Sequence, residues 1–335
     1  MPNDTRRRTV FSQSAAAVGG GVIVSALVAF ALIGPLIVRH GPLESDFAHG
    51  MAPDHSPVGP SLAFPLGADR LFRDVLARLA VGGRISLCVA CGATIVSSVL
   101  GVAVGVAAGW FEGARVLLPW SFVGGVVGAA MALALGQPAV ATAAALAGAL
   151  FGFRWFPLYG PRVDLDAWLM RLVDVMLAFP FLLLVMAIGA AVGRTTATTV
   201  ALTLGATGWV GMARVLRAKT MQVRALDYIE ASRALGQPTL RLIAKHVLPS
   251  IAGSIIVMAT IQVAQMIVAD SVLGYLGVGI SPPTPTWGRM LQEGQDEYVT
   301  APWLVAAPAT AIFLAVCGFN MLGEGLRDAL DPRRA

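Results

Sequence analysis

Charge is scarce in this sequence. Only 13% of its 335 residues are Asp, Glu, Lys or Arg, against about 25% in an average soluble protein. There are two lysines, Lys219 and Lys245, and neither ends a G-x-x-x-x-G-K-[ST] phosphate loop, since each follows an alanine. The chain therefore has no such loop with which to bind and hydrolyse ATP. The three cysteines offer one C-x-x-C, Cys88 to Cys91, inside an apolar run with no second pair and no nearby histidine. Small buried apolar residues are the expectation there, not redox or metal chemistry. His40, His49 and His55 fall in one polar stretch without metal-ligand spacing.

Apolar residue is what remains. Hydrophobic types make up 56% of the chain, and the mean hydropathy is +0.74. One core cannot hide that much Leu, Val and Ala, so the solvent for the excess is lipid. This excludes a disordered chain and argues against a soluble enzyme. The net charge of +5 does not signal nucleic acid. The basic residues are dispersed, and a basic excess with few acids is the ordinary result of the positive-inside rule.

The expected fold class is all-α and polytopic. A first span over 16–38 follows Arg6, Arg7 and Arg8, which put the tail 1–15 in the cytoplasm. The run is too long for a signal-peptide core. The loop 39–84 is rich in Pro and Gly, with five arginines balanced by five acids, so it reads as extracytoplasmic. A second span covers 85–109, with a preceding helix expected over about 70–82 that places Arg70, Arg73 and Asp74 on one face. Two apolar runs, 116–135 and 138–153, are split by Gly136-Gln137-Pro138. They read as a hairpin that enters and returns, because Arg115 precedes it and Arg154 and Arg162 follow. Later spans are expected at 169–191, 197–216, 248–270 and 301–322, the last closing a membrane domain over 85–322. The loop 281–300 holds one Arg and three acids and faces outward, while Arg327, Arg333 and Arg334 hold the tail 323–335 inside. The parity closes with eight spans, or with six if the hairpin is left out.

Function is sought in the most basic cytoplasmic segment, 217–249. Asp227 is a candidate N-cap with Glu230 three residues on, the capping-box spacing. Gly236 is placed to end the helix in a left-handed conformation, and Pro238 prevents its continuation. The outcome is a two-turn helix with Tyr228, Ala231 and Leu235 on one face. Leu248 and Pro249 open the next span. Such a helix outside the bilayer either rests on headgroups or seats in a groove of a cytoplasmic partner. Two other acids are singled out. Asp270 ends its span and is read chiefly as a water-wet group at the outer interface, with a pathway role as the other possibility. Asp174 is expected to pair with Arg171 at the cytoplasmic edge, with a gate role as its alternative.

Glu230-Ala231-Ser232, Gly236 and Leu248-Pro249 resemble the EAA loop of binding-protein-dependent ABC importer permeases, in which E-A-A is followed by three residues, G, nine residues and I-x-L-P. Ser232 stands at the second Ala and His246 at the Ile; the His resembles the peptide-transporter subgroup, where it is common. FPLGADRLFRDVLARLAVGGRISL (64–87), RLVDVMLAFPFLLL (171–184), SPPTPTWGRML (281–291) and GLRDALDPR (325–333) are similar to the DppC/OppC-type subunit. Ala68 and Phe72 replace the usual Thr and Gly. The hairpin 116–153 departs from the family.

The resemblance implies a type I ABC importer transmembrane fold with six core spans. It implies a permease for dipeptides or oligopeptides in a bacterial inner membrane, with no catalysis and no cofactor of its own. Its implied partners are a DppB/OppB-type sister permease, two cytoplasmic ATPase subunits and an extracytoplasmic solute-binding protein. Asp227, Tyr228, Glu230, Ala231, Ser232, Leu235, Gly236, Leu248 and Pro249 become the ATPase-coupling residues. An ABC permease for another solute such as nickel is one alternative. An ion-coupled secondary transporter is another, but it expects ionisable groups at the bilayer midplane, which the spans lack.

Overall fold

The computed structural model describes residues 15–38, 40–53, 55–117, 143, 162–193 and 195–330. Helix α1 runs over Ala15–Ile37. Helix α2, Val75–Trp110, has 36 residues, about 54 Å at 1.5 Å per residue. It begins where Asp74 caps it, the carboxylate accepting from the backbone N–H of Leu76 at 2.8 Å. The start expected near residue 70 therefore moves to 75. Arg70 and Arg73 belong to the preceding loop, where Phe72 takes a positive φ of 55°. Strands β1 (Arg115–Leu117) and β2 (Arg162–Asp164) pair antiparallel, with Leu117 opposite Arg162. Apart from Val116, Leu117 and Ala143, the expected hairpin 116–153 lies outside the described residues.

The span expected at 169–191 is two helices, α3 (Leu165–Ala178) and α4 (Phe181–Val192), bent by 84°. Pro180 at the junction has no N–H to carry the ladder across. The span expected at 197–216 is likewise α5 (Ala197–Gly208), opened by a Thr196/Thr199 capping box, and α6 (Val210–Arg224), bent by 43°. There follow α7 (Asp227–Ala234), α8 (Thr239–Leu242), a π turn over Ile243–Val247, α9 (Leu248–Tyr275), α10 (Trp287–Gly294), a 3-10 turn (Gln295–Glu297) and α11 (Trp303–Leu330). Among the described residues, four helical stretches are long and apolar enough to cross a membrane, and up to six are if each bent pair is one span.

Helix α2 is the hub, packing against α1, α5, α6 and α9. Glycine makes its tightest contact possible. Gly101, Gly105 and Gly109 line one face, and a Cβ at Gly105 or Gly109 would come within 2.6 Å of the Ala213 carbonyl or 2.5 Å of the Arg217 carbonyl on α6. In lipid, close backbone approach of this kind supplies packing that a hydrophobic driving force does not. Cys88 and Cys91 lie on the exposed face of α2 as free thiols, not buried as expected.

The two ends of α2 carry different machinery. At its start, α10 folds over the helix: Trp287 is fully buried and its indole N–H donates to the Leu79 carbonyl at 3.1 Å. At its finish, Trp110 meets α7.

Candidate functional site

The first turn of α7 starts one residue earlier than the capping-box reading expects. Leu226 takes the N-cap position without a side-chain cap bond, and its carbonyl accepts from Ile229 N at 2.9 Å and Glu230 N at 3.2 Å. Asp227 and Glu230 both lie in the first turn and Arg233 in the last. Each charge thus favours the helix macrodipole without a reciprocal box.

The far end closes as the sequence predicts. Gly236 adopts φ +77°, its N–H bonds the Arg233 carbonyl at 2.9 Å and Gln237 N–H reaches the Ser232 carbonyl at 3.3 Å. These two bonds form a Schellman motif, and Gly lacks the Cβ that would strain it. Pro238 then starts α8. Ser232, at the family's Ala position, turns its hydroxyl back to the Tyr228 carbonyl at 2.7 Å. The substitution leaves no unmet donor on the surface.

The helix has an inner and an outer face, and the sequence did not mark which was which. Ile229 is 0% exposed and packs with Val106 and Trp110 of α2, Met212 and Leu216 of α6, and Leu242, Val247 and Ile251. Burying such a side chain stabilises by about 1.5–3 kcal/mol. The Arg233 guanidinium lies over the Trp110 ring. The stripe expected to be the apolar face, Tyr228, Ala231 and Leu235, lies on the exposed side of the helix: Leu235 is 84% exposed, and Tyr228 and Ala231 are exposed with it. Leu240 on α8 extends the patch at 79% exposure. The Tyr228 ring meets His246 edge-on, with centroids 5.9 Å apart.

The link to the next span is a π turn in which Leu248 N–H bonds the Ile243 carbonyl. Pro249, the next residue, donates no bond, and its ring crowds the carbonyl four residues back, so the widened turn sits where the α ladder is interrupted anyway. Leu248 packs at the edge of the Ile229 cluster, while Pro249 is exposed.

Upstream, α6 is tied to α3 by two ion pairs. Arg217 grips Asp166 through two bonds of 2.5 Å each. Arg214 reaches Asp174 at 2.5 Å, both side chains being exposed. Asp174 therefore pairs with Arg214, not with Arg171, because it faces another helix and not its own i−3 neighbour. Asp166 and Arg217 escaped sequence reading, since 51 residues separate them.

Asp270 is not wet. It is 2% exposed, faces Ser86 of α2, and its Oδ2 has no hydrogen-bond partner among the described residues. Helix α10, folded over the ends of α2 and α9, covers it: Gly288 lies against Ser271, and Trp287 against Gly83.

At that same end is a second cluster. Arg78, on the first turns of α2, bonds Asp69 and, at 2.7 Å, Glu293 of α10. Arg73 reaches Asp69 at 2.7 Å and Glu293 at 3.2 Å, and Arg289 reaches Glu293 at 3.0 Å. Burial pushes the Glu293 carboxyl up, but the Arg78 hydrogen bond and the charges of Arg78, Arg73 and Arg289 outweigh it and hold the group below the ordinary glutamate value. Among the described residues no group of His, Cys, Asp and Glu is arranged to hold a metal.

Comparison with known proteins places this architecture. The family model described as "Binding-protein-dependent transport system inner membrane component" matches residues 144–335. The chain is 31% identical over 323 residues to the glutathione transport system permease protein GsiD of Pectobacterium atrosepticum, covering 96% of this chain and 89% of that one. It is 32% identical to the di/tripeptide transport system permease protein DppC of Pseudomonas aeruginosa, covering 96% and 90%. It is 31% identical to the dipeptide transport system permease protein DppC of Bacillus subtilis, covering 95% and 82%. A mostly helical chain built around membrane-spanning helices and alike to these permeases over nearly its whole length belongs to the family of binding-protein-dependent transport system inner membrane components.

Proposed function

We propose that this chain passes small peptides across the bacterial inner membrane, driven by ATP that a cytoplasmic partner hydrolyses, and that α7 is the contact through which the partner acts. The observation that carries the reading is the division of α7 into two faces. Ile229 and Arg233 fasten it to α2, while Tyr228, Ala231 and Leu235 offer a stripe that the described chain leaves exposed. A two-turn helix presenting an outward stripe fits a groove. Because it is clamped to α2 and α6, a push on α7 is transmitted to packed helices that move as bodies.

The remaining roles follow from that contact. Asp227 and Glu230 supply the negative edge of the docking helix, Gly236 its sharp end, and Leu248-Pro249 its hinge to α9. The N-terminal tail 1–15 and C-terminal tail 323–335 lie in the cytoplasm with 217–249, and 39–84 lies outside. The domain over 85–322, beyond the first span 16–38, pairs with a DppB/OppB-type sister permease. Two ATPase subunits dock inside and a solute-binding protein delivers cargo outside. The peptide cargo is supported by relatives named for dipeptide, di/tripeptide and glutathione transport.

The test is uptake by the assembled transporter in liposomes. Glu230→Lys and Gly236→Pro are each expected to abolish ATP-driven uptake and co-purification of the ATPase while the protein remains inserted. Normal uptake by the Gly236→Pro variant would refute the docking role of α7.

A further inference from the structure

Two broken helices open onto one cavity of about 280 Å³. Phe181, the first residue of α4 after the 84° bend, and Leu182 form one wall. Gly208, the last residue of α5 before the 43° bend, forms another. The third is the middle of α9, with Gln265, Val268 and Val272 on one face. Helix α9 has 28 residues, about 42 Å, and Gln265 lies about 5 Å beyond its midpoint toward Tyr275. Among the described residues no charged side chain lines the cavity.

These features do not suit a surface against lipid. At membrane depth an interrupted backbone is tolerated where it is buried in protein or borders water, not where it meets acyl chains. The two glutamines of α9 sharpen the contrast. Gln262 is 7% exposed and satisfied: its amide nitrogen donates to the Gly208 carbonyl at 2.9 Å and to Ser97 Oγ of α2 at 2.5 Å. It thereby holds the α5 wall of the cavity in place. Gln265, less than one turn on, is exposed, and its amide has no hydrogen-bond partner among the described residues. Hydrocarbon would leave that amide unmet at a large cost. The exposed stripe of α2, formed by Cys88, Cys91, Ile95 and Val99, carries neither amide nor charge, as contact with lipid requires.

We infer that this cavity is a stop on the solute's route through the membrane, and that it takes an uncharged part of a short peptide. An apolar side chain lies against Phe181, Val268 and Val272, and a peptide group bonds the Gln265 amide. A primary amide offers both a donor and an acceptor, the complement of a peptide group. The cavity is smaller than the roughly 300–1,000 Å³ of sites that hold a whole ligand, so it seats one side chain. The charged termini stay outside it, because the lining has no partner for them. The ligand rests on the peptide-transport reading; that the wall is wet rests on the geometry alone.

The experiment has two arms. In the first, Gln265→Cys and Ile95→Cys are made singly in the assembled transporter with Cys88, Cys91 and Cys317 replaced by alanine, and treated with a water-soluble methanethiosulfonate during ATP turnover. Gln265→Cys is expected to label, more slowly under saturating alanyl-leucine, and Ile95→Cys to stay unlabelled. An unreactive Gln265→Cys, or equal labelling of the two, overturns the wet wall. In the second, uptake of alanyl-leucine and glycyl-glycine is measured in liposomes supplied with the binding protein. Val268→Trp fills the cavity from an exposed position. It should lower alanyl-leucine uptake on the order of tenfold, and that of glycyl-glycine, which has no side chain to seat, by less than about twofold. Equal loss would mean that the bulk only obstructs the route, and no loss that the cavity is off it; either overturns the site. Gln265→Leu should lower uptake of both peptides, since both present a peptide group, and unchanged uptake overturns the amide contact. If the wild-type transporter takes up neither peptide while Gln265→Cys labels, the peptide ligand falls and the wet wall stands.

Discussion

The Arg233 guanidinium sits 4.9 Å from the centroid of the Trp110 ring, so α7 is clipped to the last turn of α2. Such a contact is worth about 0.5–2 kcal/mol. Together with the burial of Ile229 it fixes the tilt of α7 against α2. Trp110→Ala is expected to lower ATP-driven uptake several-fold with insertion unchanged, and Trp110→Phe to recover most of it. Uptake at the wild-type rate in Trp110→Ala liposomes would mean that α7 needs no such clip.

Gly236 allows a milder test than proline. At φ +77° alanine costs about 1–2 kcal/mol in backbone strain, and nothing lies within 4 Å of the position a Cβ would take. Gly236→Ala should therefore keep the fold and weaken ATPase co-purification, whereas Gly236→Asn, tolerant of the left-handed region, should weaken it less. The ranking Gly, Asn, Ala in a pull-down of the ATPase is the readout.

The Asp166–Arg217 pair joins α3 to the helix that feeds α7. Removing one partner of a largely buried pair costs about 3–5 kcal/mol, less here because the Arg217 side chain is partly open to solvent. Asp166→Asn is expected to lower the melting temperature of the purified protein, as is Arg217→Gln, and the double variant to lose less than the sum. Strict additivity in that cycle would show that the two residues do not act as a unit.

The Glu293 carboxyl is held below its ordinary value, so its pairing with Arg78 stabilises the fold above the unfolded pKa. That contribution is lost as pH falls through the folded value. Acid titration below about pH 4.5 should destabilise the wild-type chain more steeply than Glu293→Gln, measured by thermal melting. Parallel curves for the two proteins would remove Glu293 from the acid transition.

What the sequence makes legible depends on how local the cause is. The end of α7 is written in Gly236 and Pro238 because backbone conformation is a property of single residues. The polytopic class is written in apolar runs. The face of α7 that turns inward is not legible, since Ile229, Tyr228 and Leu235 are all apolar and two turns are too short for periodicity to separate own-chain packing from partner docking. The Pro180 break is present in the sequence, but a continuous apolar run on both sides hides it. The Arg78–Glu293 pair joins residues far apart in the sequence, and no spacing rule connects them. Asp270 looks like a surface group because it ends an apolar run; only the return of α10 over the ends of α2 and α9 buries it.

The chain between β1 and β2 gives the last prediction. Leu117 lies opposite Arg162 in an antiparallel pair, so the intervening segment leaves and rejoins the fold at one place. A two-residue type I′ turn is the shortest natural link for such a pair. Replacing residues 118–161 by Asn-Gly is expected to preserve the topology of everything downstream, because β2 and α3 keep their positions beside Ala114, whose carbonyl accepts from Leu165 at 3.4 Å. Cysteines placed singly in the 217–249 loop and the 281–300 loop and labelled with a membrane-impermeant maleimide report this directly. Labelling of the 281–300 site alone, from outside intact cells, is the expected pattern. Exchange of the two accessibilities in the shortened chain would mean that the segment sets the orientation of the helices after it.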